Sequence, residues 1–187
     1  MIALASASPR RRELLTQLGL SFVVVKGDID ESQLPGETPE QYVVRLAKGK
    51  AQAGYAHQSA PLPTLGADTI VEIDGQVLGK PTDFADFQRM MQLLSGRQHR
   101  VRTAVALCSG ERTESVLVTT DVSFRSLSGH DILQYWQSGE PADKAGGYGI
   151  QGKAGRFVTQ LSGSYFAVVG LPLFETEQLL KQQGVLA

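Results

Sequence analysis

The spacing of apolar positions alternates along the chain between strand-like runs and helical repeats. Runs of aliphatic and β-branched residues predict strands, and apolar residues recurring every three or four positions predict amphipathic helices. The predicted strands are 2–5, 22–25, 64–73, 77–78, 101–107, 115–124, 157–161 and 165–169. The predicted helices are 9–18, 39–56, 83–94, 128–136 and 172–183.

Several of these elements carry local start and turn signals. Ser8 before Pro9 is typical of a helix start, and residues 38–41 (TPEQ) have the form of a capping box with proline at the first helical position. Asp74 and Gly75 form a hairpin turn signal between two strands. Strands and helices mix without a repeat or a long linker. The pattern therefore predicts a single α/β domain over residues 1–187, built on a twisted mixed β-sheet.

Composition and charge narrow the class of protein. The 187 residues are 42% hydrophobic and carry a formal net charge of −1, which excludes the global positive field of a non-specific nucleic-acid binder. Cys108 is the one cysteine, so an intrachain disulfide is excluded and we expect a reducing, cytoplasmic environment. Its apolar neighbours favour a buried core residue over a nucleophile. We expect no membrane span and, since Arg10 interrupts the first apolar stretch, no signal peptide.

Three arginines, Arg10, Arg11 and Arg12, follow Ser8 and Pro9 in the predicted first turn of a helix. A helix N-terminus carries partial positive charge and favours acidic residues, so cations here are unfavourable for a purely structural helix. They are explained if an anion binds in front of the helix, where free N–H groups form a phosphate cradle with Ser6, Ser8, Arg10 and Arg11. The alternative is a solvated basic surface, or arginines that pair with the acidic loop at residues 27–36.

Asp68 interrupts an otherwise apolar predicted strand. A carboxylate among Leu65, Ala67 and Ile70 is costly to bury unless it is paired or binds a metal. It is a candidate general base or metal ligand. The alternative is an aspartate at a strand end that faces water.

Two further sets of charged residues are candidates for the same site. The predicted loop 27–36 carries Asp28, Asp30 and Glu31, and carboxylates suit Mg²⁺ or Mn²⁺ bridged to substrate phosphates. Lys50 and Lys80 could contact phosphates. Each set has a simpler interpretation, since acidic loops and single lysines are usually solvated.

A glycine-rich loop at residues 146–152 allows a ligand to approach the backbone closely. It lacks the Lys-Ser/Thr ending of a P-loop. Within it, Gln151 can both donate and accept hydrogen bonds, which suits contact with the edge of a nucleobase. The three histidines have neither metal-ligand spacing nor a nucleophile partner.

Taken in order, these segments resemble the Maf family of nucleotide pyrophosphatases over nearly the whole chain. The matching motifs are SASPRR at 6–11, DE at 30–31, KA at 50–51, GADTIV at 66–71, GKP at 79–81, DKAG at 143–146, YGIQG at 148–152 and VGLP at 169–172. The resemblance implies an inosine-triphosphatase-like (Maf/Ham1) fold with two lobes around a cleft, commonly a homodimer. It also implies a house-cleaning hydrolase that cleaves a nucleoside triphosphate to the monophosphate and pyrophosphate with a divalent metal.

The resemblance also assigns roles to individual residues. Asp68 would be the general base that activates water, and Glu31 with Asp68 would hold the Mg²⁺ or Mn²⁺ ion. The residues that would hold phosphates are Ser6, Arg11, Lys50 and Lys80. Gly49 and Gly79, which lie beside the two lysines, depart from the family pattern, and this affects helix rigidity and affinity more than the chemistry.

Three positions select a branch of the family. Arg10, Thr69 and Gln151 match the branch that takes dTTP and UTP, whereas the 7-methyl-GTP branch has an apolar residue at the first position and differs at the other two. We therefore expect a small-molecule nucleotide as the partner, without a membrane or a stable nucleic-acid partner. The alternatives are 7-methyl-GTP hydrolysis and a non-catalytic nucleotide- or nucleic-acid-binding regulator.

Overall fold

A computed structural model describes residues 1–186 of the chain. Its strands are β1 (Ile2–Leu4), β2 (Phe22–Val24), β3 (Thr64–Ile73), β4 (Gln76–Leu78), β5 (Gln98–Ser109), β6 (Arg112–Phe124) and β7 (Val158–Ser162). Its α-helices are α1 (Pro9–Gln17), α2 (Pro39–Ala56), α3 (Phe84–Leu94), α4 (Gly129–Gln137), α5 (Tyr165–Val169) and α6 (Leu173–Gln182). Short 3₁₀ turns lie at Glu140–Asp143, Ala145–Gly147 and Lys153–Phe157. None of the described helices is long and apolar enough to cross a lipid bilayer.

The seven strands form one mixed sheet, which confirms the predicted α/β class. The strand order is β2-β1-β3-β5-β6-β7, and β4 pairs with β3. The pairs β1–β2 and β1–β3 are parallel, and the other pairs are antiparallel. The centre of the sheet is the long β5–β6 hairpin together with β3, and this frame positions the candidate site.

One edge of β3 is only partly paired. β1 pairs with β3 up to Leu65, and β4 begins its pairing at Val71. Between them, residues 66–70 pair with β5 on the other edge but with no described strand on this one. We call this segment the open edge, and it contains Asp68 and Thr69.

The open edge also separates two parts of the hydrophobic core on one face of β3. Leu65 and Ala67 pack in a cluster with residues of β1, α1 and α6. Val71 and Ile73 pack in a second cluster with residues of α3 and α4. On the opposite face, Ile70 packs against α2. The open edge therefore lies between the two clusters on this face.

The predicted helix starts are confirmed by their caps. Ser8 Oγ accepts the Arg11 N–H, with Pro9 as the first helical residue. Thr38 and Gln41 exchange the two hydrogen bonds of the capping box. Because each cap satisfies N–H groups that have no partner within the helix, the boundaries are encoded locally.

The prediction of a strand at 165–169 is wrong, because this segment is the one-turn helix α5. Ser164 Oγ accepts the Ala167 N–H at 3.1 Å and starts the helix. Gly163 and Gly170 both have φ of 132° and confine the turn to five residues. An apolar run this short has no periodicity that distinguishes a strand from a helix.

Candidate active site

Asp68 is buried in the middle of β3, and its side chain is 11% exposed. Its carboxylate faces α2, where Lys50 Nζ lies 2.6 Å from Asp68 Oδ1. A buried carboxylate requires such a partner, since an unpaired charge in a core is costly. The alternative of a strand-end aspartate that faces water is wrong.

Gly66 lets Lys50 reach Asp68, because the backbone of α2 passes directly over it. A Cβ atom at Gly66 would lie 2.5 Å from both the Ala47 carbonyl oxygen and the Ala51 nitrogen. Contacts this short with main-chain atoms are not tolerated, so any other residue would push the helix outward. The glycine two positions before Asp68 therefore fixes the distance between helix and strand at the site.

Glu31 is the acidic-loop residue that reaches the same lysine. Its Oε1 lies 2.8 Å from Lys50 Nζ, and its main-chain oxygen accepts a hydrogen bond from Tyr42 Oη at 2.7 Å. Asp30 instead accepts the Ser32 N–H within the loop. Asp28 is exposed and has no side-chain partner in residues 1–186. Two carboxylates, from a loop and from a strand, therefore converge on one cation.

The electrostatics of Asp68 result from opposing effects. Burial raises the pKa of the Asp68 carboxyl above its ordinary 3.8, while the positive charges of Lys50 and Arg11 act in the opposite direction. The negative charge of Glu31 also raises it. A buried carboxylate with raised proton affinity in a cleft is a typical candidate for a general base.

Arg11 extends from α1 to the open edge of β3 and is held there by three hydrogen bonds. Its Nε donates to the Gly170 carbonyl at 2.8 Å, its Nη2 to Thr69 Oγ1 at 3.1 Å and its Nη1 to Ser6 Oγ at 3.4 Å. Burial lowers the pKa of the Arg11 guanidinium, opposed by the charge of Asp68. Two of its five N–H groups are left for a ligand, and an anion there would offset the desolvation of the buried charge.

Arg10 is half-buried, and Lys80 and Gln151 are exposed. Within residues 1–186, no ion pair or side-chain hydrogen bond engages any of the three. Arg10 is close enough to Asp143 to lower the pKa of that carboxyl, after the larger effect of Lys144. The structure thus joins Ser6, Arg11 and Thr69 in one set and Glu31, Lys50 and Asp68 in another. It does not join Arg10, Lys80 or Gln151 to either by direct contact.

The glycine-rich loop is anchored by a buried pair that the sequence did not indicate. His99 Nε2 and Tyr148 Oη lie 2.7 Å apart in the core. At the start of the loop, the Gly146 N–H donates a hydrogen bond to the Gly79 carbonyl oxygen. This bond connects the loop to the turn that carries Lys80. Among residues 1–186, His99 belongs to no group of three or more potential metal ligands, and its contact with Tyr148 holds the glycine-rich loop against the core.

We expect the buried state of His99 to make stability depend on pH. Burial lowers the pKa of His99 from 6.5 to about 4, so below pH 6.5 the unfolded chain binds a proton that the folded chain does not. Stability is therefore lost as pH falls from 6.5 towards 4. Between pH 7 and pH 5 the free energy of unfolding should fall by about 2 kcal/mol more in the wild type than in His99→Gln. Urea titrations at the two pH values measure this difference.

The matched control for that comparison is His130→Gln. His130 is exposed at the start of α4, so its replacement should leave the pH dependence of the wild type in place. Equal pH dependence in the wild type and in His99→Gln would contradict the role of the buried imidazole.

A second set of ion pairs, centred on the buried Arg102, links the first turn of α2 to β3 and was not predicted from the sequence. Arg102 Nη2 lies 2.7 Å from Glu40 Oε1 and 2.9 Å from Glu72 Oε2, and its Nη1 donates to Thr119 Oγ1. Glu40 is in the first turn of α2, and Glu72 is on β3, four residues from Asp68. The signal available in the sequence was a charged residue inside each of two apolar strands, Glu72 in β3 and Arg102 in β5.

Glu31 and Asp68 are the two carboxylates of the site that could hold a divalent metal. Residues 1–186 contain no group of three or more His, Cys, Asp or Glu side chains that could hold an ion. Mg²⁺ is commonly bound by one or two carboxylates and completed by substrate phosphates. Since Glu31 and Asp68 already converge on the Lys50 ammonium, the donor set fits a metal of this kind.

The sequence is similar to that of named proteins over almost its full length. Residues 1–183 match the family described as Maf-like protein. A dTTP/UTP pyrophosphatase of Pseudoalteromonas translucida (strain TAC 125) is 60% identical over 180 residues, which cover 96% of this chain and 95% of that protein. A protein of the same name from Vibrio cholerae serotype O1 (strain ATCC 39315 / El Tor Inaba N16961) is 57% identical over 179 residues and 96% of each chain.

Similarity of structure extends to a HAM1 protein from Coxiella burnetii. The TM-score is 0.51 at 20% sequence identity, and the match covers 97% of this chain and 98% of that one. At this identity the likeness concerns the fold alone, and it confirms the predicted Ham1-like architecture.

Proposed function

Because the chain belongs to the Maf family, we propose that it hydrolyses dTTP and UTP to the monophosphate and pyrophosphate. Relatives named dTTP/UTP pyrophosphatase are 57–60% identical to it over nearly their whole length. The observation that carries the proposal is the buried Asp68 carboxylate. It lies on the open edge of β3 and is flanked by Lys50, Glu31 and Arg11.

In the proposed reaction, Asp68 takes a proton from the water that attacks the α-phosphorus. Its raised proton affinity suits this role, because a general base must hold the proton that it removes. The bond from the α-phosphorus to the bridging oxygen breaks, and pyrophosphate leaves. Positive groups around the phosphates stabilise the charge that develops on their oxygens.

Four residues are proposed to hold the triphosphate. Arg11 offers the two N–H groups that Ser6, Thr69 and Gly170 leave unused. Lys50 has three donors, of which Asp68 accepts one, and its ammonium also forms an ion pair with Glu31. Ser6 and the exposed Lys80 complete the set.

A divalent cation, Mg²⁺ or Mn²⁺, is the proposed cofactor, with Glu31 and Asp68 as its protein ligands. When bound, it would supply further neutralisation of phosphate charge. Arg10, Thr69 and Gln151 are proposed to select the base. We also predict that the chain acts in the cytoplasm as a homodimer and has no nucleic-acid partner.

The experiment is pyrophosphate release from dTTP, UTP, CTP, GTP and 7-methyl-GTP with Mg²⁺ or Mn²⁺. Turnover led by dTTP and UTP is expected, and turnover led by 7-methyl-GTP would keep the chemistry but contradict the assigned selectivity. Thermal stabilisation by UTP without pyrophosphate release would instead favour a non-catalytic nucleotide-binding regulator. The matched negative control is Asp68→Asn.

Replacing Lys80 by alanine should chiefly weaken binding of the triphosphate. A charge-assisted hydrogen bond to phosphate is lost, so KM for UTP should rise about 10-fold or more, with a smaller change in kcat. Steady-state kinetics measures both constants. Lys181→Ala removes an exposed lysine of α6 that pairs with Glu177 and should leave both constants unchanged. Unchanged constants in Lys80→Ala as well would make Lys80 a solvated lysine.

A further inference from the structure

Thr103 of β5 is the cross-strand neighbour of Thr69 and is completely buried. Its Oγ1 lies 2.6 Å from the Ala167 carbonyl oxygen of α5 and 3.0 Å from Thr69 Oγ1. We propose that Thr103 is a positioning residue that fixes the Thr69 hydroxyl as a hydrogen-bond acceptor and thereby makes the site select bases with a ring N–H. The inference rests on the proposed function, in which Thr69 is one of the residues that select the base.

The direction of the hydrogen bonds follows from the chemistry of the groups. A carbonyl oxygen can only accept, so the single proton of the Thr103 hydroxyl goes to Ala167. Thr103 must then accept in its contact with Thr69, and the Thr69 hydroxyl donates to it. Because a hydroxyl has one proton, Thr69 has none left for a ligand.

Arg11 also makes the Thr69 hydroxyl act as an acceptor. A guanidinium can only donate, so its Nη2 occupies one lone pair of Thr69 Oγ1. One lone pair remains. Thr69, which is partly exposed at the open edge, therefore presents an acceptor to any base that reaches it.

An acceptor at this position distinguishes the pyrimidines. Uracil and thymine carry a hydrogen on ring nitrogen N3, which can donate to the remaining lone pair. Cytosine has a lone pair on N3, and two lone pairs facing each other leave both groups without a partner. A site with a fixed polarity rejects the wrong partner because its own polar group stays unsatisfied.

The test compares kcat/KM for UTP with kcat/KM for CTP in Thr103→Val. Valine has nearly the shape of threonine but cannot accept the Thr69 proton, so Thr69 can turn its hydrogen towards the ligand. We expect kcat/KM for CTP to rise and the ratio of UTP to CTP to fall roughly 10-fold, the size of one neutral hydrogen bond. A purely structural defect would lower both constants together and leave the ratio unchanged.

Three further variants test whether the change in the ratio of UTP to CTP depends on the Thr103 hydroxyl. Thr103→Ser keeps the hydroxyl and should keep the wild-type ratio. Thr120→Val removes another buried threonine hydroxyl that anchors the start of α5, through Ser164, but does not contact Thr69, and it too should keep the ratio. Thr103→Cys is a weaker acceptor and should lower the ratio in the same direction, which provides the test if the valine variant does not fold.

The failure of this inference is distinct from failure of the proposed function. UTP hydrolysis by the wild type with an unchanged ratio in Thr103→Val and Thr103→Cys would overturn the role of Thr103 alone. Absence of pyrophosphate release from UTP would overturn the function. In that case the ratio of Kd values for UTP and CTP, measured by calorimetry on the same variants, still decides whether Thr103 sets the selectivity.

Discussion

Asp68→Asn should lower kcat for UTP by about 100-fold or more while the protein stays folded. Asparagine has almost the same shape but cannot take a proton from water, and general base catalysis typically contributes 100-fold to 10,000-fold. Removal of a buried charge that burial disfavours also offsets part of the lost ion pair with Lys50. Pyrophosphate release under saturating UTP measures kcat, and circular dichroism checks the fold.

The matched control is Asp28→Asn, which makes the same change at an exposed aspartate of the neighbouring loop. It should retain wild-type turnover. A folded Asp68→Asn variant with near-normal kcat would remove Asp68 from the role of base and leave it as the partner of Lys50.

Gly66→Ala should destabilise the protein by about 3 kcal/mol or more and abolish most of its activity. The added Cβ would meet two main-chain atoms of α2 at 2.5 Å, and main-chain atoms within a helix cannot move singly. The helix must shift away from β3, at the upper end of the usual cost of overpacking or beyond it. The same shift carries Lys50 away from Asp68, so stability and turnover should fall together. Urea denaturation and pyrophosphate release measure the two effects.

Gly129→Ala is the control for that substitution. Gly129 is the first residue of α4, and a Cβ there meets nothing within 4 Å, so stability should be unchanged or slightly higher. A Gly66→Ala variant as stable and active as wild type would contradict the close passage of α2 over β3.

Elements with signals in neighbouring residues could be predicted from the sequence. The starts of α1 and α2 depend on Ser8 and on the pair Thr38 and Gln41, each within three residues of the group that it satisfies. The helix α5 could not be predicted, because its five residues are apolar throughout. What makes it a helix is the cap at Ser164 and the conformation of two glycines.

Long-range pairs account for most of what was missed in the site. His99 and Tyr148 are 49 residues apart, and Arg102 and Glu72 are 30 apart, so no local pattern connects them. The choice among the three acidic-loop residues also needed the fold, since Tyr42 positions Glu31 from a neighbouring helix. Asp68, by contrast, could be identified as unusual because a charge in a long apolar strand is visible in the sequence itself.

The open edge of β3 has a mechanical consequence. A sheet is stiff where its hydrogen-bonded ladder is continuous, and residues 66–70 lack that ladder on one edge. This segment is hydrogen-bonded to β5 alone, and it lies between Arg11, which follows β1 in the chain, and Lys80, which follows β4. A triphosphate held as proposed by both Arg11 and Lys80 would connect the two sides of this segment and restrict its bending.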